Sequence, residues 1–247
     1  MKSIWWAIRS ALLWAISGIH FSIGVGLMIL CGMFVDPRKI DPLVRFFNRN
    51  VVRLAGAHLA AEFSSGFDPK RTCFFAVNHV NLFDPFVLYS VLPQYVRGLE
   101  LESHFRIPLY GMLMKRFGNV PVPDVRTPAE LKRMLLLTKK ALDSGMSLIV
   151  FPEGKRTLTG RIGEFEDGSF RMAVQFGYPI VPVSIVGSFE FNRKDRWWLH
   201  PSKIVVHVYD TIETKDLRKE DVPALRDRVR ATMCAPVDAY YKTLEAT

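Results

Sequence analysis

Thr72-Cys73-Phe74-Phe75-Ala76-Val77 runs directly into Asn78-His79-Val80-Asn81-Leu82-Phe83-Asp84-Pro85. The first six residues are a short apolar run of the kind that makes a buried strand. Asp84-Pro85 is a helix start, with proline where its missing N–H costs nothing. The stretch therefore reads as strand, turn and then helix, the helix running to about Leu92. Function often sits at such a turn, because the strand fixes it while the loop stays accessible. The H-x-x-x-x-D spacing lets the carboxylate fold back onto one imidazole nitrogen. That contact would fix the tautomer and steady an imidazolium, leaving the other nitrogen free to take a proton. Taken alone, the blander reading is the stronger one: a helix cap beside an ordinary loop histidine.

The sequence on the C-terminal side repeats the alternation. Ile107 to Phe117 reads as a helix. Thr127-Pro128-Ala129-Glu130 supplies an N-cap, a proline at N1 and a capping-box glutamate. Leu131, Met134, Leu135, Ala141 and Leu142 then keep one apolar face until Ser144-Gly145 ends the helix. Ser147–Phe151, Pro179–Val186 and Lys203–Tyr209 read as further strands, and past Asp221 a surface helix is expected, broken at Pro236, with no site signal. Strands alternating with helices predict an α/β fold, a mixed and largely parallel sheet flanked by helices.

The N-terminal side is different in kind. From Ser10 to Val35 no residue carries a full charge, a length that spans a hydrocarbon core of about 30 Å. Trp5, Trp6 and Trp14 lie near one end, where aromatic rings favour the headgroup region, and Gly18, Ser22 and Gly26 form a small-residue face. The run is too long for a signal-peptide core and lacks a cleavage pattern before Asp36-Pro37, so it reads as a retained membrane anchor. Lys2 and Arg9 at one end balance Arg38 and Lys39 at the other, which leaves both orientation and the choice between spanning and one-leaflet burial open. After Asp41-Pro42, apolar Leu43, Val44, Phe47, Val51 and Leu54 face away from Arg45, Asn48, Arg49 and Arg53. Such a helix docks on a membrane surface or covers a domain core, and both readings stand. The expected division is residues 1–59 as anchoring and interfacial helices, and 60–247 as the α/β domain.

Composition narrows the partners only a little. The 247-residue chain carries a formal net charge of +9 with 49% hydrophobic residues, which suits an anionic membrane surface, a phosphorylated substrate or nucleic acid. Cys31, Cys73 and Cys234 lack CxxC spacing and read as inert thiols, neither a disulfide framework nor a zinc site. His58, His104, His200 and His207 have no spacing that would join them to His79 and Asp84 as metal ligands, so no metal is expected. Trp197-Trp198, beside Arg193, Lys194 and Arg196, reads as a second membrane-contacting spot.

Two further segments change the weight given to His79. Phe151-Pro152-Glu153-Gly154-Lys155-Arg156-Thr157 follows a strand directly, with glycine for close backbone approach and two cations for a phosphate. Gly118 to Arg126 is a strand-and-loop piece ending in a basic residue just before the capped helix. In the order Asn78-His79…Asp84, Gly118…Arg126, Phe151-Pro152-Glu153-Gly154 and Val181-Pro182-Val183, these segments resemble the four motifs of the glycerolipid acyltransferases. The chain is similar to the short bacterial-type 1-acylglycerol-3-phosphate acyltransferases, the PlsC family, over roughly Thr72 to Gly187.

The resemblance implies a function. His79 would deprotonate the free glycerol hydroxyl of a lysophospholipid, which then attacks the thioester carbonyl of an acyl donor, giving phosphatidic acid from 1-acylglycerol-3-phosphate. Asp84 would orient His79. Arg126 would hold the acceptor phosphate, and Glu153, Gly154, Arg156 and Thr157 would serve acceptor binding and site architecture. No cofactor is implied beyond an acyl-carrier-protein or acyl-coenzyme A thioester as co-substrate, and no nucleic acid. Those soluble donors would place the site on the cytoplasmic face of a membrane. The sequence departs from the family at Val122-Pro123-Asp124-Val125-Arg126, at Lys155-Arg156-Thr157, and at the acidic Phe165-Glu166-Asp167-Gly168 where a lysine pair is common. These departures keep another lysophospholipid acceptor in play. A lipid hydrolase, which lacks a G-x-S-x-G elbow here, and a non-catalytic membrane-binding module are the readings from other classes.

Overall fold

Phe75 and Val77 pack into one apolar cluster and Phe74 and Ala76 into another, the two-sided burial expected of a central strand in a sheet covered on both faces. The computed structural model describes residues 2–125 and 127–245. In chain order it contains helices α1 (Lys2–Phe34) and α2 (Asp41–Leu54), strands β1 (Ala57–Phe63) and β2 (Phe74–Val77), and helix α3 (Asp84–Val91). Strand β3 (Val96–Leu101), helix α4 (Tyr110–Phe117), strand β4 (Val120–Val122), helix α5 (Pro128–Asp143) and strand β5 (Ser147–Val150) follow. Helix α6 (Gly168–Phe176), strand β6 (Ile180–Val186), the single-turn α7 (Ser188–Phe191), strand β7 (Ser202–Val208) and helix α8 (Val222–Glu245) complete it.

The seven strands run β1-β7-β6-β2-β5-β3-β4, and every neighbouring pair is parallel except β6 with β7. The expected mixed, largely parallel sheet is therefore present. From β2 the chain crosses to β3 and β4, returns to insert β5 beside β2, and then places β6 on the other side of β2. The crevice at the C-terminal ends of β2 and β5 lies at this reversal, where open α/β sheets bind ligands.

Several elements differ from expectation. The boundary drawn between residues 59 and 60 falls inside β1, a sheet-edge strand whose alanine-rich sequence AHLAAEF carries little alternation. Strand β3 is interrupted in sequence by Arg97, Gly98 and Glu100, which hide it from a hydropathy reading. Helix α8 runs through Pro236 without a break, and it buries one face: Val222, Leu225, Val229, Met233 and Val237 form one stripe on both sides of the proline. Packing of that stripe outweighs the hydrogen bond lost at Pro236. At α5 the Thr127 side chain caps the Glu130 N–H at 3.2 Å, as its sequence requires.

Helices α1 and α2 are fastened to the sheet. Trp14 packs on Phe83 with ring centroids 5.4 Å apart, and Trp14 Nε1 donates to the Trp197 carbonyl at 2.7 Å. Trp197 is thus tied to α1, while its ring is half exposed. The opposite side of α1 presents Ile8, Leu12, Ile16, Ile19, Ile23, Leu27 and Leu30 outward at spacings of three and four. Ile4–Phe34 is long and apolar enough to cross a membrane by length and composition. Helix α2 buries Val44, Phe47, Asn48, Val51 and Val52, so it covers the domain core along that face.

One ionic junction holds α2. Asp41 Oδ2 accepts from Arg45 Nε at 2.8 Å, while Asp41 Oδ1 lies 3.3 Å from the Arg97 guanidinium on β3. Arg97 is almost wholly buried and stacks over Tyr95, 4.0 Å from its ring centre. Removing one member of such a pair leaves a buried charge uncompensated, at a cost of about 3 kcal/mol. Asp41→Ala is therefore expected to lower the thermal midpoint of the detergent-solubilised protein clearly, and Asp41→Ala with Arg97→Met to recover part of the loss. Differential scanning of the two variants beside wild type checks this.

Candidate active site

His79 lies two residues past β2, and Asp84 is the first residue of α3. The turn between them brings His79 Nδ1 to 2.8 Å from Asp84 Oδ2. The same oxygen accepts the backbone N–H groups of Val80 at 2.7 Å and Asn81 at 3.0 Å. Asp84 is fully buried at the N-terminus of α3, where three donors and the helix dipole compensate a carboxylate removed from water. An ionised carboxylate only accepts, so Nδ1 of His79 carries the proton of this contact and Nε2 keeps its lone pair. The ring lies flat against Phe151, with centroids 4.1 Å apart and planes 20° apart, which fixes its tilt.

Asparagines on either side pin the turn. Asn78 exchanges two hydrogen bonds with the backbone of Ile185 on β6, Nδ2 donating at 3.0 Å and Oδ1 accepting at 2.7 Å. Asn81 Oδ1 accepts from the Phe83 N–H, and its amide donates to the carbonyl and hydroxyl of Ser188 on α7. Asn78 and Asn81 are in the motif as read from sequence. Their partners Ile185 and Ser188 lie 107 residues away and carry no signal that pairs them.

The loop after β5 clasps the same turn. Glu153 Oε1 accepts from the His79 N–H at 2.9 Å, and Glu153 Oε2 accepts from the Gly163 N–H at 2.9 Å. The Thr157 N–H donates to the His79 carbonyl at 2.8 Å, so both backbone polar groups of His79 are held by this loop. Thr157 Oγ1 is occupied in its own turn, accepting from the Gly160 N–H and donating to the Arg161 carbonyl. Of the two roles expected for this motif, the geometry gives Glu153 and Thr157 site architecture. Gly154, at φ 67°, and Arg156 line the cavity instead. Arg126 lies outside the described residues.

A cavity of about 1370 Å³ opens at His79. On one side of the sheet its wall is apolar, with Trp14, Phe21, Val44, Phe86, Leu113 and Phe117 from α1 to α4. The same lining carries Arg156, Glu166 and Arg171. Arg171 is paired with Asp167 at 3.0 Å, whereas Arg156 has no hydrogen-bond or ionic partner among the described residues. Among those residues, no group of three or more His, Cys, Asp or Glu side chains is placed to hold a metal ion. Burial pushes the Cys73 thiol up to about 12, which keeps it a packed, unreactive side chain, while Cys31 and Cys234 are partly exposed.

A histidine with a free Nε2, steadied by a buried carboxylate and open to a long apolar cavity, is the equipment of a general-base enzyme for a lipid-like substrate. The sequence profile of the family described as Acyltransferase matches residues 52–186, and the chain belongs to that family. The 1-acyl-sn-glycerol-3-phosphate acyltransferase of Cocos nucifera is 28% identical over 145 residues, 59% of this chain and 47% of that protein. A chloroplastic 1-acyl-sn-glycerol-3-phosphate acyltransferase of Brassica napus is 36% identical over 119 residues, 47% of this chain and 33% of that protein. The chain thus spans half or less of the length of these two plant relatives. The human 1-acyl-sn-glycerol-3-phosphate acyltransferase beta is 28% identical over 207 residues, 83% of this chain and 69% of that protein. In fold, the chain is similar to the LPA acyltransferase PlsC of Thermotoga maritima, with a TM-score of 0.80 at 22% identity over 95% of this chain and 97% of that one.

Burial raises the Glu153 carboxyl above its ordinary value of 4.5, against the opposing pull of the Gly163 and His79 N–H groups. The folded value lies above the unfolded one, so ionising Glu153 costs stability. The protein is favoured below the unfolded value and loses that increment as pH rises to the folded value. Glu153→Gln does not titrate but forfeits one of the two N–H contacts. It is expected to melt below wild type at about pH 4, with the gap narrowing toward about pH 7. Thermal melts across that range check the sign.

Proposed function

We propose that this protein transfers a fatty acyl group from a thioester donor to the free hydroxyl of 1-acylglycerol-3-phosphate, forming phosphatidic acid. The observation that carries the reading is the 2.8 Å contact of His79 with Asp84 at the mouth of the apolar cavity. The acceptor is the one in the names of the relatives, and the apolar cavity suits both acyl chains.

In the reaction, His79 Nε2 takes the proton of the acceptor hydroxyl as its oxygen bonds to the thioester carbonyl carbon. Negative charge passes to the carbonyl oxygen. The tetrahedral adduct collapses with cleavage of the C–S bond, and the proton on Nε2 goes to the departing thiolate. An ester and a free thiol leave, and the imidazole is neutral again. Asp84 offsets the imidazolium charge throughout and keeps Nδ1 as the donor. Arg156, unpaired at the cavity wall, faces the acceptor phosphate, a role the family resemblance also implies for Arg126. Gly154 lets backbone approach the acceptor, while Glu153 and Thr157 hold His79 in place.

The outward apolar face of α1 seats the protein in a lipid surface, which brings the cavity to the acceptor's own phase. The donor is an acyl-carrier-protein or coenzyme A thioester, which sets the site on the cytoplasmic face.

With purified protein, a long-chain acyl-coenzyme A and a panel of lysophospholipids, wild type is expected to acylate 1-acylglycerol-3-phosphate. His79→Ala is expected to lower kcat by about 10³ and Asp84→Asn by about 10², within the usual range for a positioned base. Full activity in both variants, or release of free fatty acid without an acylated acceptor, overturns the reading.

A further inference from the structure

The wall of the cavity formed by β3 and α4 is not apolar throughout. Glu100 Oε1 accepts from the Tyr110 hydroxyl at 3.1 Å and lies 3.2 Å from His104 Nδ1. Beside them, the Tyr89 hydroxyl accepts from the Gly98 N–H at 3.1 Å and from the Asn119 amide at 3.4 Å. All five side chains line the cavity, among Leu99, Leu113, Met114 and Phe117. Burial, and then the Glu100 charge, hold the Tyr110 hydroxyl well above its ordinary value, so it stays a donor.

Hydrogen bonding within this cluster is incomplete. Asn119 is 7% exposed, and its Oδ1 is buried without a partner. Glu100 Oε2, His104 Nε2 and the hydroxyl proton of Tyr89 also have no partner among the described residues. Glu100 and His104 are partly exposed, but a cluster serving only to brace the fold would close the valences at Asn119 and Tyr89, since an unpaired buried polar group is costly. The backbone beside it is held in a rare shape. Leu109, at φ 62° and ψ −53°, is the centre of a γ-turn closed by the Tyr110 N–H on the Pro108 carbonyl at 2.7 Å. Strain of this kind collects at ligand-binding segments, and Tyr110 is the residue that follows it.

We propose that Tyr89, Glu100, His104, Tyr110 and Asn119 form a polar subsite in the lipid cavity that receives an acyl chain carrying a hydroxyl group. The proposal rests on the acyl-transfer reading. The open valences are of both kinds, lone pairs on Glu100 and Asn119 and a proton on Tyr89, and a hydroxyl both donates and accepts. A phosphate or carboxylate would meet the Glu100 charge, and an ammonium, which only donates, would leave the Tyr89 proton without an acceptor. A plain methylene chain leaves the valences unfilled. The strand order places β3 two strands from β2, about 10 Å across at the usual strand spacing. The subsite therefore lies within the length of a fatty acyl chain whose carbonyl is at His79, not beyond its end.

The test uses the purified full chain, 1-acylglycerol-3-phosphate, and acyl-coenzyme A thioesters of one chain length, unsubstituted or with the hydroxyl at successive carbons. Wild type is expected to prefer one hydroxyl position over the unsubstituted chain by about tenfold or more in kcat/KM. Tyr110→Phe and Glu100→Leu are expected to reduce that ratio by about tenfold, and Glu100→Gln by less, because the amide keeps an acceptor. A flat wild-type series overturns the subsite. So does an equal loss on all thioesters in the variants, which is the mark of a bracing role. No transfer from any thioester to any lysophospholipid overturns the acyltransferase reading itself, and the subsite falls with it.

Discussion

Asp84 Oδ2 is the oxygen on which the site depends. Three donors reach it, the imidazole Nδ1–H of His79 and the N–H groups of Val80 and Asn81. Two are backbone groups of the turn itself, so the carboxylate shapes the loop and orients the imidazole with one atom. Its burial is tolerable only because those donors are present and because α3 begins at that residue. Shape and protonation state are therefore coupled. A turn that loosened would release the histidine proton from its acceptor, and a histidine that turned away would leave the buried carboxylate short of a partner.

The rest of the sheet acts on that turn from two sides. From β6, Ile185 grips Asn78; from the loop after β5, Glu153 and Thr157 grip the backbone of His79 on both its polar groups. These contacts come from segments that the parallel topology places next to β2, since β5 and β6 are its two hydrogen-bonded neighbours. Packing against α1 adds a third side, through Trp14 on Phe83 and Phe21 on Phe86. The apolar helix is thus part of the wall of the site.

Much of this was legible in the sequence, for identifiable reasons. The segment 72–85 announces strand, turn and helix because its apolar run, its asparagines and its Asp-Pro pair all agree. Helix α5 is equally plain from Thr127 and Pro128 at one end and Gly145 at the other. Strand β3 was hidden because it carries Arg97 and Glu100, residues whose burial makes sense only once Asp41, Tyr95 and Tyr110 surround them. The continuity of α8 was hidden because proline is a local signal, while the stripe that overrides it packs against a distant sheet face. At the site, the chemistry-bearing residues were visible. The division of labour within Phe151–Thr157 was not, because sequence spacing does not say whether Glu153 faces a ligand or the backbone of His79.

Acyl transfer at a lipid surface, as proposed, would raise a physical difficulty that this architecture could meet. In the reaction proposed above, the acceptor would be confined to a bilayer, whereas the thioester donor would be soluble or carried by a soluble protein. A site wholly in lipid would strip the donor of water, and a site far from lipid would have to extract the acceptor's chain. Here the parallel sheet presents its C-terminal edge, with the dyad, directly beside α1. One face of α1 lines the cavity through Trp14 and Phe21, while the other turns an unbroken apolar stripe outward. On the proposed reading, an acceptor chain would lie along the apolar lining, while its headgroup would meet the charged lining residues Arg156, Glu166 and Arg171. Hydrophobic burial, which has no direction of its own, would be turned into orientation by those charged side chains.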